Sequence, residues 1–123
     1  MIQCELLRDR GILVIAPEGP LEANDFKRVA ALVDPWIAEN GALKGLMIRA
    51  PSFPGWENFG GLLAHMRFVR DHHRHIERVA AVTDSAFLKI APLVAQHFAD
   101  PEIRVFGSDE DARAMTWLET GAA

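Results

Sequence analysis

Polar and apolar positions alternate over residues 2–8, with Ile2, Cys4 and Leu6 on one side and Gln3 and Glu5 on the other. That two-residue period predicts a half-buried strand. Residues 12–16 form an unbroken apolar run, Ile-Leu-Val-Ile-Ala, as expected of a strand covered on both faces. Arg8-Asp9-Arg10-Gly11 between them reads as a short turn, so the two strands should pair as an antiparallel hairpin. Past Pro17-Glu18-Gly19-Pro20 the period changes. Phe26, Val29, Ala30, Val33, Trp36 and Ile37 recur at helical spacing and predict a helix over about 22–40, stopped by Asn40-Gly41. Pro35 should kink or divide it.

Strands and helices then alternate. Residues 45–50 predict a third strand, 51–56 a loop, and 57–74 a second helix with the stripe Phe59, Leu62, Leu63, Met66, Val69 and His73. Residues 78–83 predict a fourth strand. Asp84 or Ser85 is expected to cap a third helix carrying Phe87, Leu88, Ala91, Val94 and Phe98, with Pro92 bending it or marking a later start. A fifth strand is expected over 102–106. Ser108 and Asp111 stand at capping-box spacing ahead of a last helix with Ala112, Met115, Trp117 and Leu118. The order ββαβαβαβα favours right-handed crossovers between parallel neighbours. The expected fold is therefore a single α/β domain over residues 1–123. Its five-stranded sheet should be mixed but mostly parallel, with the first strand antiparallel near an edge and helices on both faces.

Charge and composition narrow the class. The chain carries a net charge of −4 at an isoelectric point of about 5.7, which argues against a nucleic-acid partner. A single cysteine, Cys4, permits no internal disulfide, and the expected setting is the reducing cytoplasm. No signal peptide is visible, and no stretch approaches the ~18 apolar residues of a membrane span.

Catalytic and cofactor motifs are missing from the sequence. There is no phosphate-binding G-x-x-x-x-G-K-[ST], no G-x-G-x-x-G after a strand, and no serine in G-x-S-x-G. Gly60-Gly61 is expected to allow close packing of the second helix on the sheet. His72, His73 and His75 cluster with Arg70 and Arg74 at the end of that helix, where cationic groups favour the carbonyl end of the dipole. His73 also continues the apolar stripe, so a donor to a core carbonyl is expected there. His65 lies one heptad before His72, on the same helix face. Adjacent His72 and His73 diverge by about 100°, and no acid or thiol stands at ligand spacing, so neither a metal nor a cofactor is expected. An enzymatic site would need His65, His72 and either Glu57 or Asp84 to converge.

The loop Pro51-Ser52-Phe53-Pro54-Gly55-Trp56 is the stronger candidate for function. It leaves the carboxyl end of a predicted parallel strand, where open α/β sheets bind ligands. Phe53 and Trp56 either fold back on the core or form an accessible apolar lip.

Three segments resemble the SpoIIAA-like bacterial proteins: Phe53-Pro54-Gly55-Trp56-Glu57-Asn58-Phe59-Gly60, then His65 with Phe68 to Ile76, then Arg78 to Ser85. Arg104-Val105-Phe106 and Ala112 to Leu118 fit as well. The resemblance implies kinship with STAS and CRAL-TRIO domains and a sheet like theirs. It implies a non-catalytic regulatory or protein-interaction module, or alternatively a small carrier or sensor of a hydrophobic ligand such as a lipid or fatty acid. STAS anti-sigma antagonists carry a phosphorylatable serine within D-S-x-G after a central strand. The matching region here is Ala50-Pro51-Ser52-Phe53-Pro54-Gly55, with Ser52 present and the aspartate missing. The candidate ligand- or partner-binding residues are thus Ser52, Phe53, Trp56, Phe59, His65 and His72. The expected partner is a protein or a small apolar ligand. Peripheral membrane contact and a homodimer are further expectations.

Overall fold

The computed structural model describes residues 1–97 and 99–122, except the side chain of Val94. Phe98 and the Val94 side chain, both expected on the third helical stripe, lie outside the described residues. Five strands form one sheet in sequence order: β1 (Ile2–Leu7), β2 (Ile12–Pro17), β3 (Leu43–Arg49), β4 (Ile76–Val82) and β5 (Glu102–Phe106). β1 pairs antiparallel with β2, in the register Ile2 opposite Pro17 and Leu7 opposite Ile12. All other pairs are parallel, with Leu46 opposite Leu13 and Val79 and Ala81 opposite Ile103 and Val105. The mixed sheet with an antiparallel edge strand is the architecture that the pattern predicts.

Helices α1 (Ala23–Asn40), α2 (Phe59–His72) and α3 (Ala86–Ala95) connect successive parallel strands, and α4 (Asp111–Thr120) follows β5. Each crossover steps to the next strand in the same direction, so right-handed connections put α1, α2 and α3 on one face. The two-residue period of the strands then explains two cores. Leu13, Leu46 and Val79 face α1 and α2 together with Val29 and Val33. Ile12, Met47 and Ala80 face the other way and pack under Trp117 and Leu118 of α4. Gly45 lets α4 come this close, because a Cβ there would stand 2.8 Å from Leu118 Cδ2.

Several local expectations need correction. Pro35 does not divide α1, which runs unbroken to Asn40 and stops at Gly41, whose φ is +86°. Ser108 and Asp111 do not form a capping box. The helix begins at Asp111 behind Glu110, whose carboxylate accepts the Gly107 N–H over 2.8 Å, while the Ser108 hydroxyl bonds Asp84. Asp84 is thereby committed to joining the ends of β4 and β5. Ser85 faces the third helix instead, with its Oγ accepting from Leu88 N–H at 3.4 Å.

The helix layer is uneven. α1 and α2 pack along each other, whereas α3 leans on β5 and barely meets α2. Gln96, just beyond α3, ties it there: its side chain donates to Pro101 O over 2.9 Å and accepts from Ile103 N–H over 2.7 Å. This amide fills hydrogen-bonding positions beside the outer strand, a way of blunting an exposed sheet edge.

Candidate functional site

The loop after β3 is held in place by the segment before α1. Leu21 N–H donates to Gly55 O over 2.8 Å and Glu57 N–H donates to Leu21 O over 2.9 Å, so Trp56 pairs with Leu21 as one parallel bridge. Gly55 sits at φ +78°, a conformation that disfavours a side chain. Asn58 then caps α2, its Oδ1 accepting the Gly61 N–H over 2.9 Å. Gly61 makes this approach possible, since a Cβ there would lie 2.4 Å from Leu21 O. The close contact is with the entry to α1 rather than with the sheet, and Gly60 takes no comparable part.

Trp56, held on this loop, donates its indole N–H to His65 Nδ1 over 3.1 Å. Indole N–H is only a donor, so Nδ1 of His65 is unprotonated and the neutral ring carries its proton on Nε2. The other side of the imidazole stacks on Phe26, centroid to centroid 4.9 Å. Burial holds the His65 pKa below the ordinary histidine value. Phe53 completes the cluster, edge-on to Trp56 at 5.0 Å and 4.7 Å from Phe87 at the start of α3. Phe53 and Trp56 are each half-buried, neither sealed in the core nor fully exposed.

Along α2 runs an open trough of about 450 Å³. Trp56, Leu62, His65, Met66, Val69 and His73 line it, with Arg70 at its rim. Trp56 stands at one end of this lining. At the other end His73 Nδ1 accepts the Asp100 N–H over 3.2 Å, the reverse of the expected donation to a core carbonyl. The stripe expected to be core is in part surface: Phe59 is 70%, Met66 61% and Val69 44% exposed. On α3, Phe87, Ile90 and Leu93 are 52%, 61% and 67% exposed. The physical reason is that α3 leans on β5 and leaves that stripe of α2 uncovered.

The structure therefore brings Phe53, Trp56 and His65 together and leaves the other candidates apart. Phe59 projects from the first turn of α2, and Ser52 lies exposed on the loop. His72 turns toward α1, stacked on Phe68 at 4.0 Å with Nε2 2.7 Å from Asp34. Glu57 pairs with Glu22, whose hydrogen bond and negative charge raise its pKa. Asp84 is held below the usual carboxylate range by the hydroxyl and N–H of Ser108. Among the described residues His65, His72, Glu57 and Asp84 thus each have separate partners and form no common acid–base set. No group of three metal-ligating side chains occurs among the described residues.

Sequence reasoning missed the role of Met66, Val69 and Arg70 as trough residues, and of Ile90 and Leu93 as surface. One signal was present. Residues 86–95 contain a single charge, Lys89, and are apolar all round. Such a helix is either buried on all sides or offers a face to something else.

The SpoIIAA-like family model matches residues 12–119. An uncharacterized protein of the DUF3478 family from Shewanella loihica PV-4, described as having a SpoIIAA-like fold, is similar with a TM-score of 0.69 and 21% identity. The alignment covers 96% of this chain and 92% of that one. No curated protein matches. The chain belongs to the SpoIIAA-like family, as its central motifs imply.

Proposed function

We propose that this SpoIIAA-like domain is a non-catalytic protein-interaction module of the STAS-like class that receives its partner on the surface formed by the 51–59 loop, α2 and α3. One observation carries the reading: α2 leaves Phe59, Met66 and Val69 exposed along an apolar trough, and α3 of the same layer leaves Phe87, Ile90 and Leu93 exposed. Isolated exposed apolar residues are ordinary, but several gathered about an apolar trough mark an interaction surface. The separate commitments of the histidines and acids agree with a role in binding rather than in proton transfer.

A photo-crosslinking residue at Val69, with a second at exposed Thr116 on α4 as control, tests the surface. Adducts formed from Val69 but not Thr116, and lost in the Met66→Glu variant, support it. Equal adducts from both positions, or adducts that survive Met66→Glu, overturn it.

A small apolar ligand is the second reading, on a different observation. The trough volume of about 450 Å³ falls within the range of small-molecule sites. Native mass spectrometry of the purified domain with added fatty acid or phospholipid tests it: a bound adduct supports the carrier, and a bare protein mass removes it.

A further inference from the structure

The two edges of the sheet are finished differently. At β5 the Gln96 amide occupies Pro101 O and Ile103 N–H. At β1 the outward backbone groups stay largely open, and the register identifies them. Pairing with β2 runs without a break from Ile2 opposite Pro17 to Leu7 opposite Ile12. Glu18 N–H donates to Met1 O over 2.7 Å and Gly11 N–H to Leu7 O over 2.9 Å, so the odd-numbered residues of β1 bond toward β2. Ile2, Cys4 and Leu6 therefore turn their N–H and C=O groups away from the sheet. Arg28 agrees with this direction, donating to Ile2 O over 3.0 Å. A carbonyl oxygen has two acceptor positions, so one remains open there too.

Apart from Arg28 and the single charge of Glu5, the usual protections of an edge are missing from this strand. Its 6 residues, Ile-Gln-Cys-Glu-Leu-Leu, hold no proline and no lysine, and the unbroken register holds no bulge. Its side chains suit one arrangement. We infer that β1 pairs antiparallel with β1 of a second copy of this chain, across a two-fold axis at Cys4, so that the two sheets become continuous. Ile2 then stands opposite Leu6 of the second copy, and Gln3 opposite its Glu5, each pairing occurring twice by symmetry. Gln3 and Glu5 are both exposed in the single chain, and across the axis the amide of one donates to the carboxylate of the other. Cys4 and Leu6, half-buried in the single chain, gain apolar cover. A shift by two residues in either direction leaves outward groups unpaired, and one of the two shifts sets Glu5 against Glu5.

An extended peptide from another protein fits less well. It matches the backbone of the edge, whereas a second copy also sets amide against carboxylate and apolar against apolar side chain. The β1 edge and the trough on α2 share no residue, so this inference stands or falls independently of the interaction-module reading.

The test follows the full chain by sedimentation from about 10 μM to about 1 mM, with amide hydrogen exchange read by NMR. The expected result is a dimer whose formation slows exchange at the Cys4 and Leu6 amides roughly tenfold. Gln3→Lys, which sets an ammonium against Glu5 of the second copy, should tighten the dimer about fivefold, and Gln3→Glu, which sets two carboxylates together, should weaken it by a similar factor. Cys4→Pro removes an outward N–H and no bond to β2, so it should give a folded monomer. The two Gln3 variants alter an exposed side chain and keep the test decisive if Cys4→Pro does not fold. A monomer at every concentration overturns the inference, and protection of Cys4 and Leu6 that requires an added extended peptide of unrelated sequence overturns it in favour of strand addition by another protein. A dimer whose Cys4 and Leu6 amides exchange freely, or one that folded Cys4→Pro still forms, lies on another face and also overturns it. A dimer equally tight in both Gln3 variants overturns the register through Cys4.

Discussion

Trp56 and His65 are joined by one hydrogen bond, indole N–H to Nδ1 over 3.1 Å, and it couples the loop after β3 to the middle of α2. The same two rings line the apolar trough. The position of the loop and the shape of the candidate site are therefore one structural fact.

Replacing Trp56 by Phe keeps an aromatic ring and removes the donor. His65 Nδ1 is then left without its partner in a half-buried site. Urea unfolding should show a loss of about 1 kcal/mol, the usual net value of such a bond. Unchanged stability would show that the bond contributes nothing.

Stability should depend on pH through His65. Burial lowers its folded pKa, so the unfolded chain takes up the proton more readily. The contribution of the neutral ring is complete above the unfolded value of about 6.5 and is lost as the pH falls below it toward the depressed folded value. His65→Gln removes this titration. The unfolding free energy of the parent minus that of the variant should decline between about pH 7 and about pH 5. A flat difference contradicts the burial of this imidazole.

The adjacent glycines should respond very differently to alanine. At Gly61 the new Cβ meets backbone, Leu21 O at 2.4 Å, and the entry to α1 must move. A cost of about 1–3 kcal/mol is expected, the range of overpacking. At Gly60 the nearest atom is Asn58 Oδ1 at 3.2 Å, a side-chain atom. There the gain in helix propensity should offset the crowding, leaving stability within about 1 kcal/mol of the parent. Equal thermal shifts for the two variants would contradict the placement of α2 against Leu21.

Asp25 is 2% exposed, accepts the Glu22 N–H over 2.9 Å and lies 3.1 Å from the Arg28 guanidinium. Burial alone would raise its pKa, but the Glu22 N–H and Arg28 outweigh that and hold it below the usual value. Its stabilising contribution is present above the unfolded value of 3.8 and lost as the pH falls through the lower folded one. Asp25→Asn should cost about 1–3 kcal/mol at neutral pH and remove that part of the acid limb. Equal chemical denaturation of variant and parent at neutral pH would refute it.

The order of strands and helices could be read from the sequence because each element carries its own period. Ile2, Cys4 and Leu6 alternate against Gln3 and Glu5, while Phe26, Val29 and Val33 recur at helical spacing. With right-handed crossovers, that order leaves few sheets to choose from. The position of the 51–56 loop, after a parallel strand and ahead of α2, was legible too.

What the sequence by itself determined is thus the mixed α/β sheet and the family. Only the tertiary structure decided which faces of α2 and α3 are covered. Periodicity marks Met66, Val69 and Phe87 as apolar, but not what lies against them, because burial depends on how neighbouring helices settle on the sheet. Gln96 and His73 hold α3 and the loop beyond it near β5 through bonds between residues distant in the chain or on different elements. The packing of α3 on β5 leaves apolar side chains at the surface that the pattern alone assigns to the core.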